Sequence, residues 1–453
     1  MIYEGGKRAI TLMLGGDFML GRRLSNFREP AYLALVEKVR SADLAFANLE
    51  TTVRHTHEGN PTISPGTYMT TTPHLLDDLK WFGVSMVSCA NNHAFDYGEG
   101  GVAATCRHLD AAGVAHAGSG ENLTLARRPA YVDTPAGRVG LVAVTATFLP
   151  WTRAGEPRAD SPGRAGVNPL RSKLEYEVSG ADLDVLRKLS GELGFAKENA
   201  RNRQHFFSEK EAPADSGGEV HFLNSKFVRG EKAVISSRAD PADLADNLRW
   251  IREARRQCDW LIVSLHSHEY GFASVANAEK RSDMTEPADF CVEFARAAID
   301  AGADVVAGHG SHTPLATEIY KNKPIFYGLG NLVFHNDTVE SLPSEAYERF
   351  DLTANDTPAD FQDTRTANDT KGHPGDRAFW ESMVAECRFE DGKLSKIVVH
   401  PCDLGYKLAR SQRGRPVLAQ GETAERVLTR VETLSSKRGA IFKRTGTTTT
   451  YSA

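Results

Sequence analysis

Six short clusters of Asp, Glu, Asn and His hold most of the reactive chemistry in this sequence. They are Gly15-Gly16-Asp17, Asn48-Leu49-Glu50, Asn91-Asn92-His93 with Asp96 nearby, His266-Ser267-His268-Glu269, Gly308-His309-Gly310-Ser311-His312, and Gly330-Asn331. Carboxylate oxygen, amide oxygen and imidazole nitrogen together form a mixed O/N ligand set suited to Mn²⁺, Fe²⁺ or Zn²⁺. No cysteine belongs to the set, so a structural zinc knot is not expected. Two adjacent cations can activate water and hold an anionic oxygen, which suits phosphoester or related hydrolysis. A lone histidine at a strand end is ordinarily a hydrogen-bonded structural residue. Four of them at two strand ends, His266, His268, His309 and His312, point instead to a site.

Each cluster follows an apolar, β-branched run: Ile10–Leu14, Leu44–Ala47, Val84–Ser88, Trp260–Leu265, Val305–Ala307 and Ile325–Tyr327, with Val139–Val144 as a further run. Runs this short and apolar read as strands buried on both faces. Helical patterns lie between them: Pro73–Phe82 stopping at Gly83, Val102–Ala112 at Gly113, and Pro287–Ala301 at Gly302. Strand, helix and glycine stop in alternation indicate α/β architecture. Parallel α/β sheets bind ligands beyond the carboxyl ends of their strands. The six strand ends are therefore expected to bring Asp17, Glu50, Asn92, His266, His309 and His312 into one cleft. Two long segments interrupt the pattern. Residues 171–235 hold a charged helical stretch, Ala181–Leu193, and a polar passage, Asn199–Gly218; residues 335–378 lack apolar periodicity and read as mobile surface. Ser382–Phe389 and Leu394–His400 around Asp391-Gly392 predict a hairpin. A last helix, Glu422–Ser436, precedes a Thr-rich tail, 441–453, expected to fray.

The chain has 453 residues, with 41% hydrophobic and 25% charged, which excludes a wholly disordered or collagen-like chain. A net charge of −5 argues against a nucleic-acid binder. Ile10–Leu14 is too short for a signal-peptide core, and no run reaches the ~20 apolar residues of a membrane span. Six scattered cysteines without a paired motif read as reduced thiols. These features together predict a cytoplasmic protein, and they leave room for an oligomer.

The motifs Gly16-Asp17-Phe18-Met19-Leu20-Gly21-Arg22, Asn48-Leu49-Glu50, Asn91-Asn92-His93 through Asp96-Tyr97-Gly98, Gly308-His309 with His312, and Tyr327-Gly328-Leu329-Gly330-Asn331-Leu332-Val333-Phe334 resemble the CapA-like poly-γ-glutamate capsule-synthesis proteins. That family is similar in turn to the calcineurin-like metallophosphoesterases. The resemblance covers about residues 10–335. It implies a four-layer α/β/β/α sandwich with a two-metal cleft at the strand ends, built as one domain over 1–440 with insertions at 171–235 and 335–378. By the same resemblance, Asp17 and His312 would serve the first metal and Glu50 would bridge. Asn92, His266 and His309 would serve the second, and His93 with Asp96 would be the acid at the leaving oxygen. Where the phosphoesterase pattern has a histidine two residues after the first Asp, Met19 stands here. Glu50 replaces an Asp, and Ser267-His268-Glu269 replaces the capsule proteins' Trp-Gly.

Arg22 and Arg23 follow the Asp17 turn and are candidates to hold a substrate carboxylate or phosphate, against a reading as solvated surface arginines. Arg164, His268, Glu269 and Asn331 are further candidates for substrate contact, whereas Trp151, Phe206 and Phe207 read as packing residues. Three functions are compatible with these residues. The first is a metal-dependent hydrolase or transferase on a phosphoester or γ-glutamyl amide. The second is a metal-independent peptide epimerase using Asp17 and His312 as its proton-transfer pair. The third is a poly-γ-glutamate-binding assembly factor without turnover.

Overall fold

The computed structural model describes residues 9–64, 66–205, 217–223, 225–272 and 282–453. The fold is mixed α/β, and the chain divides into two compact units. The larger comprises residues up to Leu170, Ala242–Glu269 and Phe294–Ala453; the smaller comprises Arg171–Pro241 and Tyr270–Glu293.

Two sheets organise the larger unit. In the ten-stranded sheet, strand Ile10–Met19 lies between Leu44–Leu49 on one side and Glu381–Glu390 on the other, with the short strand Asn331–Phe334 also pairing to it. Parallel pairing continues from Leu44–Leu49 to Met86–Ser88 and Ala115–Ala117. The six-stranded sheet centres on Gly137–Thr145, Trp260–His266, Val305–His309 and Lys323–Phe326, all parallel. One buried cluster draws on both sheets, with Leu12, Leu14 and Phe46 from the first and Leu141, Trp260 and Ile262 from the second. Continuous apolar runs are what strands covered on both faces require. On its other face the ten-stranded sheet packs Met13, Ala45 and Val87 against Leu35, Leu79 and Leu109 of helices Pro30–Arg40, Leu76–Phe82 and Gly98–Ala112.

Register sets the site. Asp17 lies opposite Asn48 on one side and Asn331 on the other, and His266 lies opposite His309 in the second sheet. The approach of Asn331 depends on Gly16, because a Cβ there would sit 1.8 Å from the Gly330 carbonyl oxygen. The Asp17 N–H donates to that same oxygen at 2.9 Å. Gly16→Ala is therefore expected to cost about 3 kcal/mol of stability, the upper range for forced overpacking, as urea unfolding will show.

The hairpin forms as its turn chemistry predicts. Glu381–Glu390 and Lys393–Asp403 pair antiparallel around Asp391 and Gly392, whose φ angles are 49° and 75°. Across it, the His400 ring at 3.0 Å and Arg388 at 2.6 Å hold the Glu386 carboxyl down at about 2. A carboxyl depressed from about 4.5 contributes stability that is present above its unfolded value and lost as pH falls toward 2. Wild type is thus expected to lose up to about 3 kcal/mol more than Glu386→Gln between pH 6 and pH 2, measured by chemical denaturation at each pH.

Two expectations fail here. The tail does not fray: Lys443–Thr445 and Thr448–Ser452 form a hairpin, and the second strand pairs with Lys393–Asp403. Its threonines are polar, but they are β-branched and suit a strand. Nor is 335–378 irregular. It holds helices Ser344–Glu348 and Pro358–Thr366, the second opened by a capping box between Thr357 and Asp360. Tyr347, Phe350 and Phe361 converge on Tyr68 and Tyr97 from separate short elements, which leaves no period to read along the sequence. Trp151, expected to pack, is 45% exposed, and Phe206 and Phe207 lie outside the described residues.

In the smaller unit, strands Glu219–Phe222, Ser225–Arg229, Ser172–Val178 and Val234–Ala239 form one sheet. Helix Gly180–Glu192 is capped by the Ser179 side chain and buries Leu183. Rings of Tyr176 and Phe227 stack at 5.0 Å between neighbouring strands.

Candidate functional site

Residues from six strand ends and the turns after them in the larger unit meet in one buried polar cluster. Asp17 is fully buried. Its Oδ1 accepts from the Asn48 amide at 2.9 Å, and its Oδ2 accepts from the Gly310 N–H at 3.0 Å. Gly310 has φ 94°, a left-handed conformation that turns this N–H inward. His309 Nδ1 lies 3.5 Å and His266 Nδ1 3.8 Å from Asp17 Oδ1, with His312 Nδ1 3.3 Å from Oδ2. His266 is the hub of the histidines. Its Nε2 is 2.7 Å from Asn92 Oδ1 and 3.1 Å from His268 Nε2, and its Nδ1 is 3.0 Å from His309 Nδ1.

Glu50 differs from every other acid in the cluster. It is fully buried, and no N–H or O–H group reaches either carboxylate oxygen. Its nearest nitrogens are His266 Nε2 at 3.8 Å and His93 Nε2 at 4.0 Å. His93 is held from behind: its Nδ1 is 2.8 Å from Asp96 Oδ2, which also accepts from the Met69 N–H at 2.7 Å. Asn331 positions His312 in the same way, with Oδ1 at 2.9 Å from Nδ1.

Electrostatics separate the two carboxyls. Burial opposes ionisation of Asp17, but the hydrogen bond and charge of His312, with His266 and His309 behind it, outweigh burial and hold this carboxyl far below its ordinary value. Glu50 has no such partners, so burial and then the neighbouring Asp17 charge push it well above. Burial likewise depresses the imidazoles, His309 to about 4 and His268 to about 3, with His312 adding to the effect on His268. Neutral imidazoles and an ionised carboxylate are the protonation states in which these groups bind metal.

Two sets of ligand atoms in the cluster each lie within 4.8 Å of one another: Asp17 with His266 and His309, and Glu50 with His268 and His312. The cluster thus contains Asp17, Glu50, Asn92, His93, Asp96, His266, His268, His309, His312 and Asn331. His312 meets both sets, lying 3.3 Å from Asp17 Oδ2 as well as grouping with Glu50, and His268 stands among the histidines rather than apart as a substrate contact. The Met19 side chain, at the position of the missing histidine, is buried with Phe334 and Trp380 and offers no ligand.

The other candidates lie elsewhere. Arg22 donates to the backbone carbonyls of Ser411 and Arg413, Arg23 pairs with Asp78 at 3.1 Å, and Arg164 donates to the Arg153 carbonyl. Arg22 and Arg164 brace loops, Arg23 pairs with helix Leu76–Phe82, and none joins the cluster. Glu269 accepts from the Thr147 and Ser267 hydroxyls, bracing the turn after His266. Sequence reasoning missed His373, whose ring packs 5.2 Å from His312 and 4.7 Å from Phe379. Its only signal was a histidine between turn formers in Gly372-His373-Pro374-Gly375, within a segment read as surface.

An uncharacterized protein of Sinorhizobium fredii is 34% identical over 95% of this chain and 90% of its own length. A probable polyglutamine synthesis accessory protein of Mycobacterium tuberculosis is 27% identical over 73% of this chain and 75% of its own. The PGA biosynthesis protein CapA of Bacillus subtilis is 29% identical over 37% of this chain and 43% of its own. Residues 11–336, which carry every member of the buried cluster, match the description "Bacterial capsule synthesis protein PGA_cap", and the chain belongs to that family.

Proposed function

We propose that this chain is a metal-dependent hydrolase or transferase acting on an anionic substrate, with phosphoester and γ-glutamyl or peptide amide bonds as the target classes. The observation that carries this reading is the buried Glu50 carboxyl, whose oxygens no donor reaches and whose nearest nitrogens belong to the rings of His266 and His93, an arrangement a divalent cation would satisfy. One or two Mn, Fe or Zn ions would be held by Asp17, Glu50, Asn92, His266, His268, His309 and His312. When bound, such ions supply Lewis acidity to a scissile phosphoryl or carbonyl group. The names of the capsule and polyglutamine relatives favour a polyglutamate or peptide substrate. The shared core of the two sheets, with helices outside the larger, supports a four-layer sandwich of metallophosphoesterase type.

The chain's own groups have distinct tasks in this reading. Asn48 and the Gly310 N–H fix the Asp17 oxygens, and Asn331 orients the His312 ring. Asp96 holds His93 with its Nε2 toward Glu50, where the ring can give a proton to a leaving oxygen. A screen of phosphoester and γ-glutamyl substrates with added Mn²⁺ is expected to find turnover that chelator abolishes. A metal-loaded protein inert on every member of both classes would sink the proposal.

A second reading has one observation in its favour. Met19 is packed away, and Asp17 Oδ2 sits 3.3 Å from His312 Nδ1, the acid/base pair that peptide epimerisation needs. Chelator-resistant deuterium incorporation at one peptide α-carbon in D₂O would select it over hydrolysis.

A further inference from the structure

Next to the histidine cluster, in the same compact unit, lies a cavity of about 90 Å³ whose walls include Gln362, Arg365, His373 and Trp380. That is well beyond the space one water needs. His373 is the wall it shares with the cluster. Its ring stands 5.2 Å from that of His312 and 5.1 Å from that of Phe334, and His268 and His93 are close enough for their charge to bear on it. Arg365, from the last turn of helix Pro358–Thr366, supplies a cation at the cavity. Its guanidinium donates to the Thr67 hydroxyl, and among the described residues no carboxylate pairs with it. Thr67 adjoins Gly66, where a Cβ would lie 3.5 Å from the His93 ring.

The charges around Arg365 leave it uncompensated. Arg349, a cation whose charge bears on Arg365, donates to the Ser64 carbonyl at 2.6 Å. Burial and then the Arg349 charge push the Arg365 guanidinium below its ordinary value. Asp337, also on the cavity wall, is already paired through Oδ2 with Arg413 at 2.5 Å. A half-buried cation without a counter-charge is unfavourable, and an anion from outside relieves that cost. Two buried acceptors without donors, Asp337 Oδ1 and Gln362 Oε1, disfavour a doubly charged phosphate there. They suit a group that brings an N–H beside a carboxylate.

We propose that the Arg365–His373 cavity is a specificity pocket that receives a carboxylate of an acylamino-acid or peptide substrate acted on at the Asp17–His312 cluster. The inference rests on that cluster being the reaction centre. Arginine is the residue suited to the task, because its planar fork matches a carboxylate through two parallel hydrogen bonds. His373 then sits between the bound carboxylate and the reacting bond, where its orientation sets the reach from one to the other.

The test measures binding of N-acetylglycine, of its neutral amide and of inorganic phosphate by titration calorimetry, at low salt with excess chelator. Wild type is expected to bind N-acetylglycine about tenfold more tightly than either alternative. Arg365→Gln should bind acid and amide alike, and Arg365→Lys should keep the charge but weaken the acid about threefold or more. Unfolding curves without ligand establish that each variant is folded, and Arg365→Lys carries the test if Arg365→Gln is not. No preference for the acid in wild type, tighter binding of phosphate, or a preference that survives both substitutions would overturn the pocket. Metal-dependent turnover without acid preference removes the pocket alone. Acid preference in a protein that neither binds metal nor turns over removes the reaction-centre reading alone.

Discussion

Glu50→Gln is expected to lower divalent-metal affinity by more than about 10²-fold while leaving the metal-free protein close to wild-type stability. A residue that only orients a metal ligand is worth about 10- to 100-fold in affinity, so a direct ligand should exceed that. The stability half of the expectation comes from the protonation state. Burial and then the Asp17 charge raise the Glu50 carboxyl well above its ordinary value and so favour its neutral form, which a glutamine of the same shape mimics. Glu50→Gln should therefore stay within about 0.5 kcal/mol of wild type, the usual span of benign substitutions. Competition with a chromogenic chelator reads the affinity, and urea unfolding in excess chelator reads the stability. A variant that binds metal like wild type removes Glu50 from the ligand set. One that collapses without metal shows that the carboxyl has a structural partner instead.

The second large effect falls on turnover rather than loading. His93→Ala is expected to reduce kcat by about 10²- to 10⁴-fold, the range for losing a positioned proton donor, with metal content unchanged. The separation follows from the geometry. His93 Nε2 is 4.0 Å from Glu50 Oε1, and its ring belongs to neither group of close ligand atoms. Asp96→Asn keeps the shape but weakens the hold on His93 Nδ1, so it should lower kcat by less than His93→Ala. Metal analysis alongside steady-state kinetics checks both. Loss of metal from His93→Ala would place that ring among the ligands.

Much of the cluster was legible because strand ends are. Asp17, Glu50, Asn92 and the four strand-end histidines each follow an apolar run, and a parallel sheet delivers such positions to one end. What could not be read was partition and enclosure. His312 reaches both Asp17 and the Glu50 set from a left-handed φ of 55°, a property of the turn rather than of residue spacing. His373 escaped because its segment has no single period; it is held by short helices and turns whose apolar residues meet only in three dimensions. Arg22 and Arg23 misled for a related reason. Proximity in sequence to Asp17 says nothing of direction: Arg23 turns to Asp78 on helix Leu76–Phe82, and Arg22 turns to the loop at 411–413.

The threonine-rich hairpin at the carboxyl end has a practical consequence for anyone shortening or tagging this chain. Thr448–Ser452 occupies the outward flank of Lys393–Asp403, and Lys443–Thr445 closes the row. Deleting the last dozen residues as dispensable would strip that cover and leave the Lys396–Val399 N–H and C=O groups as an open template. Open strand edges recruit further chains. The truncated protein should be the form that self-associates in concentrated solution.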